Sequence, residues 1–525
     1  MQRTNSVWLP AALAVGLLGV ALATSCSGDD TAGGGGPGAS NAGAGGGVGG
    51  NVGGSSAGGG VGGEAAGGAG GSPPPDCQPP ELAPDAIDVT KAPYNATPDD
   101  ASDDTDAIRA AIADAPAGGT VYVPDGTFIL SLADGTALLL KSDMTLYLSA
   151  GAVLQALPSD LENYALVQIY DASNVTVVGG TLWGERAQHQ GTTGEWGHGL
   201  TIGSSDHVAI YGVTSKEMWG DGFYVGRGSG AESSDVTLCG CVADHNRRQG
   251  LSVTAALGAT IEHSTFSNTE GTDPQAGIDL EPNAGDTVDA VHIADCQIDN
   301  NQDGVVFTTG TSNSSLSNSG VTHSLHWGVR MSTGAGNSVT GSTIQSNGSG
   351  GIYMKWAGQS ASGNTVADNG GTGIYTEAAV DWDNGDVQQN QIIDNAITGN
   401  AGDCIGIDYS HENVVSGNTC ENNGQHGIYL SSADRNTLSD NTLTANSQSA
   451  DAAFDHIYLD YANDNVIHHN TARMGQLANR PGWGVHIRPA ASTGTEVTDN
   501  DLVGSGVTGS FLDEGTGTVS SGNQL

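Results

Sequence analysis

GIYMKWAGQSASGNTVADNGGTGIYT, residues 351–376, opens and closes on one signature: a glycine, then an apolar-x-apolar triplet, its last place relaxed to Thr376. The signature recurs on both sides. Towards the N-terminus stand Gly328-Val329-Arg330-Met331, Gly304-Val305-Val306-Phe307, Gly277-Ile278-Asp279-Leu280, Gly250-Leu251-Ser252-Val253, Gly222-Phe223-Tyr224-Val225 and Gly199-Leu200-Thr201-Ile202. Towards the C-terminus stand Gly406-Ile407-Asp408-Tyr409, Gly427-Ile428-Tyr429-Leu430, His456-Ile457-Tyr458-Leu459 and Gly484-Val485-His486-Ile487. The spacing is mostly about 21 to 29 residues, the length of one solenoid turn built from three short strands. Val175–Val178 and Val236–Leu238 read as second strands of such turns. Asn300-Asn301 and Asn422-Asn423-Gly424 read as corners, where Asn and Gly tolerate a left-handed backbone. One coil cannot bury its own apolar face, so the coils must stack. At about 4.8 Å per coil, twelve repeats span on the order of 55 Å.

Composition agrees with stacked short strands. The chain has 525 residues, 82 of them glycine, with only 5% aromatic residues. Fifteen Lys+Arg against 58 Asp+Glu give a net charge of -43, which repels phosphate backbones and excludes nucleic acid as a partner. An acidic polysaccharide would need a local basic patch or a bridging cation. No nucleotide, haem or pyridine-nucleotide motif is present, so no organic cofactor is expected.

Residues 1–25 read as a signal peptide: Arg3 is the positive end and Ala11 to Ala23 a short apolar run. Ala23-Thr24-Ser25-Cys26 resembles a bacterial lipobox, which implies lipidation of Cys26 and anchoring to a bacterial membrane or cell surface; simple secretion is the alternative. Residues 26–80 are Gly/Ser/Pro-rich and read as a flexible tether, and residues 81–525 as the folded body. Contact with the membrane is expected through the lipid alone, and a capped solenoid is expected to be a monomer. Cys77, Cys239, Cys241, Cys296, Cys404 and Cys420 allow 15 pairings, and their spacing does not choose among them.

Asp103 to Ile112 reads as a helix with acidic residues in its first turn and Ala107, Ile108, Ala111 and Ile112 on one face. Gly118-Gly119 ends it, and Thr120–Pro124 follows as a strand. Helix, glycine turn and "GGTVYVPDGTF" resemble the opening of pectin-lyase-like β-helices, the superfamily of pectate lyases, polygalacturonases and alginate C5-epimerases. The resemblance implies an all-β, single-stranded, right-handed parallel β-helix with an N-terminal capping helix.

Side chains alternate along a strand, so the middle residue of each triplet should face outward. The outward stripe then holds Tyr224, Asp279, Arg330, Tyr353, Tyr375, Asp408, Tyr429, Tyr458 and His486, joined two residues further on by Glu281, Lys355 and Glu377. Tyrosine faces with polar neighbours suit sugar rings, so the stripe is expected to bind a linear glycan. His198, Asp221, Gln249 and Asp303 share one place in the coil, just before the repeat glycine, and should meet at the mouth of the groove.

Asp279 and Glu281 are i and i+2 on one strand. As a carboxyl pair they can serve as acid and base on a glycosidic bond. With Asp303 they can instead hold Ca²⁺. Arg247 and Arg248, the only adjacent arginines, can neutralise a uronate carboxylate, with Tyr224 or His245 exchanging the C5 proton. The candidate catalytic set is therefore Asp221, His245, Arg247, Arg248, Asp279, Glu281 and Asp303, with His198, Tyr224 and the rest of the stripe binding substrate.

Gly277–Glu281 sits where alginate C5-epimerases carry an Asp-Pro-His-Glu block; Asp279 matches its Asp, and Glu281 stands in place of its His. Asp303 matches the acidic residue of the next coil in that family. Gly197-His198-Gly199 resembles a polygalacturonase motif, placed here before the acidic residues rather than after them. Together these features lead to an expected extracellular polysaccharide-active enzyme, a lyase or C5-epimerase on a uronic-acid glycan. A glycoside hydrolase and a non-catalytic glycan-binding or structural β-helix are the alternatives.

Overall fold

The computed structural model describes residues 77–332, 334–378, 388–488 and 492–525. The expected signal peptide, Cys26 and nearly all of the expected tether lie outside the described residues. The body is a right-handed parallel β-helix whose faces are three parallel sheets of 18, 15 and 14 strands. The 15-stranded sheet runs from Thr136–Leu140 to Gly509–Asp513 and contains the repeat signatures. We call its outer surface the groove face.

Register explains the repeat. Leu200 pairs with Phe223, Phe223 with Leu251, and Leu251 with Ile278, so like stacks on like down the axis. These side chains and their counterparts Ile352, Ile374, Ile428 and Ile457 are buried inside the solenoid. The repeat glycines are needed because neighbouring coils close over them: a Cβ on Gly304 would lie 2.3 Å from the Gly328 carbonyl oxygen.

The helix spans Thr105–Asp114 and turns Ile108, Ala111 and Ile112 into the core, with Ala107 half-buried. Arg109 ties it to the first strand of the groove sheet, donating to the carbonyls of Ala137 at 2.7 Å and Thr136 at 2.6 Å. Asp106 stands in its first turn as expected, and the acidic start has a further use. Asp104 accepts the N–H groups of Thr97 at 2.8 Å and Ile129 at 3.2 Å and so joins the helix to the solenoid.

Two expectations need correction. Only the first Asn of each corner pair is left-handed, Asn300 at φ 55° and Asn422 at φ 59°. The second, Asn301 or Asn423, is buried. In the C-terminal coils such residues form ladders, as in Asn395–Asn418–Asn441–Asn470–Asn500, where each side-chain amide and backbone N–H donates to the next Oδ1. Asp408 is also displaced: Gly406 pairs with Tyr375 and Tyr429, so Asp408 stands in the column of Glu377 rather than the tyrosine column.

Cys77 is bonded to Cys239 and Cys404 to Cys420, while Cys241 and Cys296 are buried thiols. Among the described residues no helix is long and apolar enough to cross a membrane.

Candidate functional site

The place before the repeat glycine has a structural reason to be polar. In four coils its side chain accepts the backbone N–H of the next coil's residue at the same place. His198 Nδ1 accepts from Asp221 at 3.1 Å, Asp303 from Trp327 at 3.3 Å, Asp403 from His426 at 2.8 Å and Asp455 from Trp483 at 2.8 Å. His198, Asp221, Gln249 and Asp303 do stack in one column. All four are buried; Asp221, Gln249 and Asp303 lie beneath the groove surface, while His198 lines a cleft in it.

Arg248 organises the cluster above them. Its guanidinium donates to Asp221 Oδ2 at 3.2 Å and to Glu281 Oε1 at 2.8 Å, with Glu195 at 3.9 Å. Ser252 donates to Asp221 Oδ2 at 2.9 Å. Gln249 Nε2 bridges Asp279 at 3.3 Å and Glu281 at 3.1 Å. Four carboxyl groups thus share one guanidinium and one amide.

Burial decides their charge states. Desolvation raises Asp221 to about 6, against the pull of Arg248. Asp279, 2% exposed, goes well above the usual carboxylate range, first through burial and then through the charge of Glu281. Asp279 Oδ1 and Gln249 Oε1 are buried without a hydrogen-bond partner. A protonated Asp279 buries a neutral group there in place of a charge, which lowers the cost of an oxygen without a partner. His198 is lowered to about 3 by burial and then by Arg248, so it is neutral and free to accept the Asp221 N–H. Burial also raises Tyr224, which donates to or accepts from Thr254 at 2.8 Å.

The cluster forms one wall of a cleft of about 450 Å³, lined among others by Tyr164, Tyr170, Trp196, His198, Tyr224 and Glu281. Glu281, its side chain 26% exposed, is the carboxylate of the cluster that lines this space. His198 stacks on Tyr224 with centroids 5.0 Å apart. Tyr170 is not singled out by sequence because the coil holding Asn163–Tyr170 lacks the glycine signature; the apolar-polar-apolar triplet Val167-Gln168-Ile169 is the available signal.

Two expected catalytic residues belong to other networks. Arg247 lies 3.7 Å over the Trp219 ring and donates to the carbonyls of Gly194 at 2.9 Å and Trp219 at 3.2 Å. His245 occupies a left-handed corner, paired with Asp244 at 2.9 Å, and its carbonyl accepts from Arg186. Of the arginine pair, only Arg248 enters the carboxyl cluster.

The tyrosine stripe is present but differently oriented. Trp327, Tyr353 and Tyr375 stack on one another at 5.3 and 5.7 Å, and Tyr429 and Tyr458 at 5.8 Å. Coil spacing sets this stacking, which turns ring faces towards neighbours and leaves edges and hydroxyls for a ligand. Some hydroxyls are engaged too: Tyr353 donates to Glu377, and Tyr375 reaches Glu377 at 3.3 Å and Asp408 at 3.2 Å. Lys355 pairs with Glu377 at 3.5 Å and Arg330 with Asp303 at 3.0 Å.

Asp279, Glu281 and Asp303 do not converge as a Ca²⁺ cage. Glu281 and Asp303 are turned to different arginines, and the one group of three close His/Cys/Asp/Glu ligand atoms among the described residues is Cys77, Cys239 and Glu262, two of them already joined as a disulfide.

The family described as right handed beta helix region matches residues 276–443 and 388–525, and that described as rhamnogalacturonase A/epimerase, pectate lyase-like matches residues 88–136. The uncharacterized protein YclG of Bacillus subtilis is 24% identical over 239 residues, 41% of each chain. The chain therefore spans about two fifths of the length of that relative. Among solved structures, a mutant tailspike protein of E. coli bacteriophage HK620 in complex with a pentasaccharide is 13% identical, over 83% of this chain and 78% of that one, with a TM-score of 0.54. The A-module of the Azotobacter vinelandii mannuronan C-5 epimerase AlgE6 is 18% identical, over 83% and 99%, with a TM-score of 0.33. At 13% identity the likeness to the tailspike protein is one of fold.

Proposed function

From a chain that is a right-handed parallel β-helix of the pectin-lyase-like superfamily, we propose a polysaccharide-active protein whose Asp279–Glu281 cluster hydrolyses a glycosidic bond in a neutral glycan. The observation that carries the reading is the split state of the carboxyl pair. Asp279 keeps its proton through burial, while Glu281, facing the cleft, is ion-paired with Arg248. A carboxyl group that holds its proton, set beside a second that faces the bond, is the kind of pair that acid–base cleavage of a glycosidic bond uses. Glu281 is the group a substrate meets: the proton stored on Asp279 behind it passes by way of Glu281 to the leaving oxygen, the attacking water gives up one proton by the same route to restore it, and Arg248 holds Glu281 in place.

Pairing of the cations favours a neutral glycan over the uronate chemistry expected from Arg247 and Arg248. Arg248 is the cation lining the cleft, and it is shared by Asp221 and Glu281. Arg330, Lys355 and Arg488 on the same face each have a carboxylate partner as well. A uronate would have to compete with these carboxylates on a strongly acidic protein. Export and anchoring through Cys26 are part of the proposal. Two disulfides support an oxidising compartment.

The test incubates the full chain with a panel of neutral and acidic polysaccharides and follows reducing ends, unsaturated-uronate absorbance and sugar configuration together. Hydrolysis gives new reducing ends without absorbance, and Glu281→Gln lowers the rate at least about 100-fold while glycan binding survives. Rising absorbance would make the protein a lyase, and a changed configuration without cleavage an epimerase. Binding with no turnover would make it a glycan-binding protein.

A further inference from the structure

The geometry of the first site recurs further along the groove. His198, Asp221, Tyr224, Ser252 and Glu281 occupy defined places on four successive coils: His198 and Asp221 before the repeat glycine, Tyr224 and then Ser252 in the outward column, and Glu281 two residues past that column. Nine coils on, His426, Asp455, Tyr458, His486 and Glu514 occupy the same five places.

The contacts recur with the places. Asp221 N–H donates to His198 Nδ1 at 3.1 Å, and Asp455 N–H to His426 Nδ1 at 2.9 Å. Tyr224 stacks on His198 at 5.0 Å and 14°, Tyr458 on His426 at 4.9 Å and 11°. Ser252 reaches Asp221 Oδ2 at 2.9 Å, and His486 Nδ1 reaches Asp455 Oδ2 at 2.9 Å. The link that Arg248 makes between Asp221 and Glu281 is made in the second place by His486 alone, whose Nε2 lies 3.4 Å from Glu514.

One difference separates the two. The position of Asp279 is taken by Leu512, so the second place has no buried carboxyl group to store a proton beside its glutamate. It keeps the binding groups and lacks the proton store. Phe454, edge-on to His426 at 5.1 Å, adds an aromatic wall.

We propose that His426, Asp455, Tyr458, His486 and Glu514 form a second, non-hydrolytic glycan-binding site for the same substrate class, about nine coils from the first. This rests on the reading of the first site as a glycan site. At about 4.8 Å per coil the two lie roughly 43 Å apart, so a short oligosaccharide occupies them independently and a long chain bridges them.

The test uses the full chain carrying Asp279→Asn, to stop turnover, and titrates neutral hexasaccharides of β-1,4-glucose, α-1,4-glucose and β-1,4-N-acetylglucosamine by calorimetry. Two molecules per chain are expected for the hexasaccharide that binds. His486→Gln and, separately, Glu514→Gln should reduce this to one, and Tyr224→Ala, which removes a ring from the wall of the first cleft, should remove the other. The parent polysaccharide should lose at least tenfold in affinity when either site is lost. A stoichiometry of one that is unchanged by His486→Gln and Glu514→Gln overturns the second site and leaves the first standing. Binding of none of the hexasaccharides overturns the neutral-glycan reading and this inference with it.

Discussion

Asn418→Ala tests whether the asparagine ladders, rather than apolar stacking alone, hold the C-terminal coils together. Asn418 is fully buried. Its Oδ1 accepts the backbone N–H of Asn395 at 3.0 Å and that residue's side-chain amide at 2.9 Å. Its own amide donates to the carbonyls of Ile392 at 2.8 Å and Ser416 at 3.1 Å and to Asn441 Oδ1 at 3.0 Å. Alanine removes all five bonds, while the backbone N–H of residue 418 keeps its bond to Asn441. At roughly 0.5–1 kcal/mol net for each neutral bond, with about 1–3 kcal/mol for the stranded Asn395 N–H, the loss is on the order of 3.5–8 kcal/mol before relaxation. Asn523→Ala, at the half-exposed end of the same ladder, also removes bonds but lets water replace them, and should cost under about 1.5 kcal/mol. A solenoid opens locally, so the assay is hydrogen exchange read by mass spectrometry over residues 391–398 and 414–421. An opening free energy for Asn418→Ala within about 1 kcal/mol of the parent, or equal to that of Asn523→Ala, would refute the reasoning.

Three further outcomes are expected. Burial raises Asp403 to about 7 against an ordinary 3.8, so its contribution to stability is present below pH 3.8 and is lost as pH rises through 7. Asp403→Asn, which keeps an acceptor for the His426 N–H, should match the parent near pH 4 and exceed it by on the order of 2–4 kcal/mol at pH 8 in urea unfolding; equal midpoints at pH 8 would contradict this. Burial lowers His456 to about 4, and the neutral ring donates to the Arg473 carbonyl at 2.9 Å, so its contribution is present above pH 6.5 and lost as pH falls to 4. His456→Gln should flatten that loss by about 1.4 kcal/mol per pH unit between these limits, measured by the same titration. Arg248→Met strands Asp221 and Glu281 and should destabilise the body by about 3–5 kcal/mol at pH 8, less at pH 5 where Asp221 takes up a proton; a pH-independent loss would count against the ion-paired cluster.

The fold was legible because a solenoid repeats its instructions. Each coil must supply Ile, Val, Leu or Phe at the same inward places and usually a glycine where the next coil closes, so periodicity alone locates the groove sheet. The error at Asp408 came from the same rule: Cys404 takes the glycine's place in that coil, and the nearby Gly406 mimics it in the wrong register. Alternation located the outward column but not its cover. Asp279 was read as a surface carboxylate, and the side chains of Gln249, Arg248 and Glu281 close over it. The difference between Arg247 and Arg248 was invisible in sequence, since both flank the same corner and only coil geometry sends one to Trp219 and the other to the carboxyl cluster.

The Cys77–Cys239 bond has a mechanical meaning. Tension applied anywhere N-terminal to Cys77 takes the shortest covalent path, which crosses the two sulfurs and enters the solenoid at Cys239. Residues 78–238 hang as a loop in parallel with that path and carry little of the load. The loop includes the capping helix and the coils that supply Tyr164, Trp196, Asp221 and Tyr224 to the cleft wall. A pull from the N-terminal side would load the coils that supply Arg248 and Glu281 before those that supply Tyr164, Trp196 and Tyr224, and would spare the latter a force that first peels coils in an unbonded solenoid.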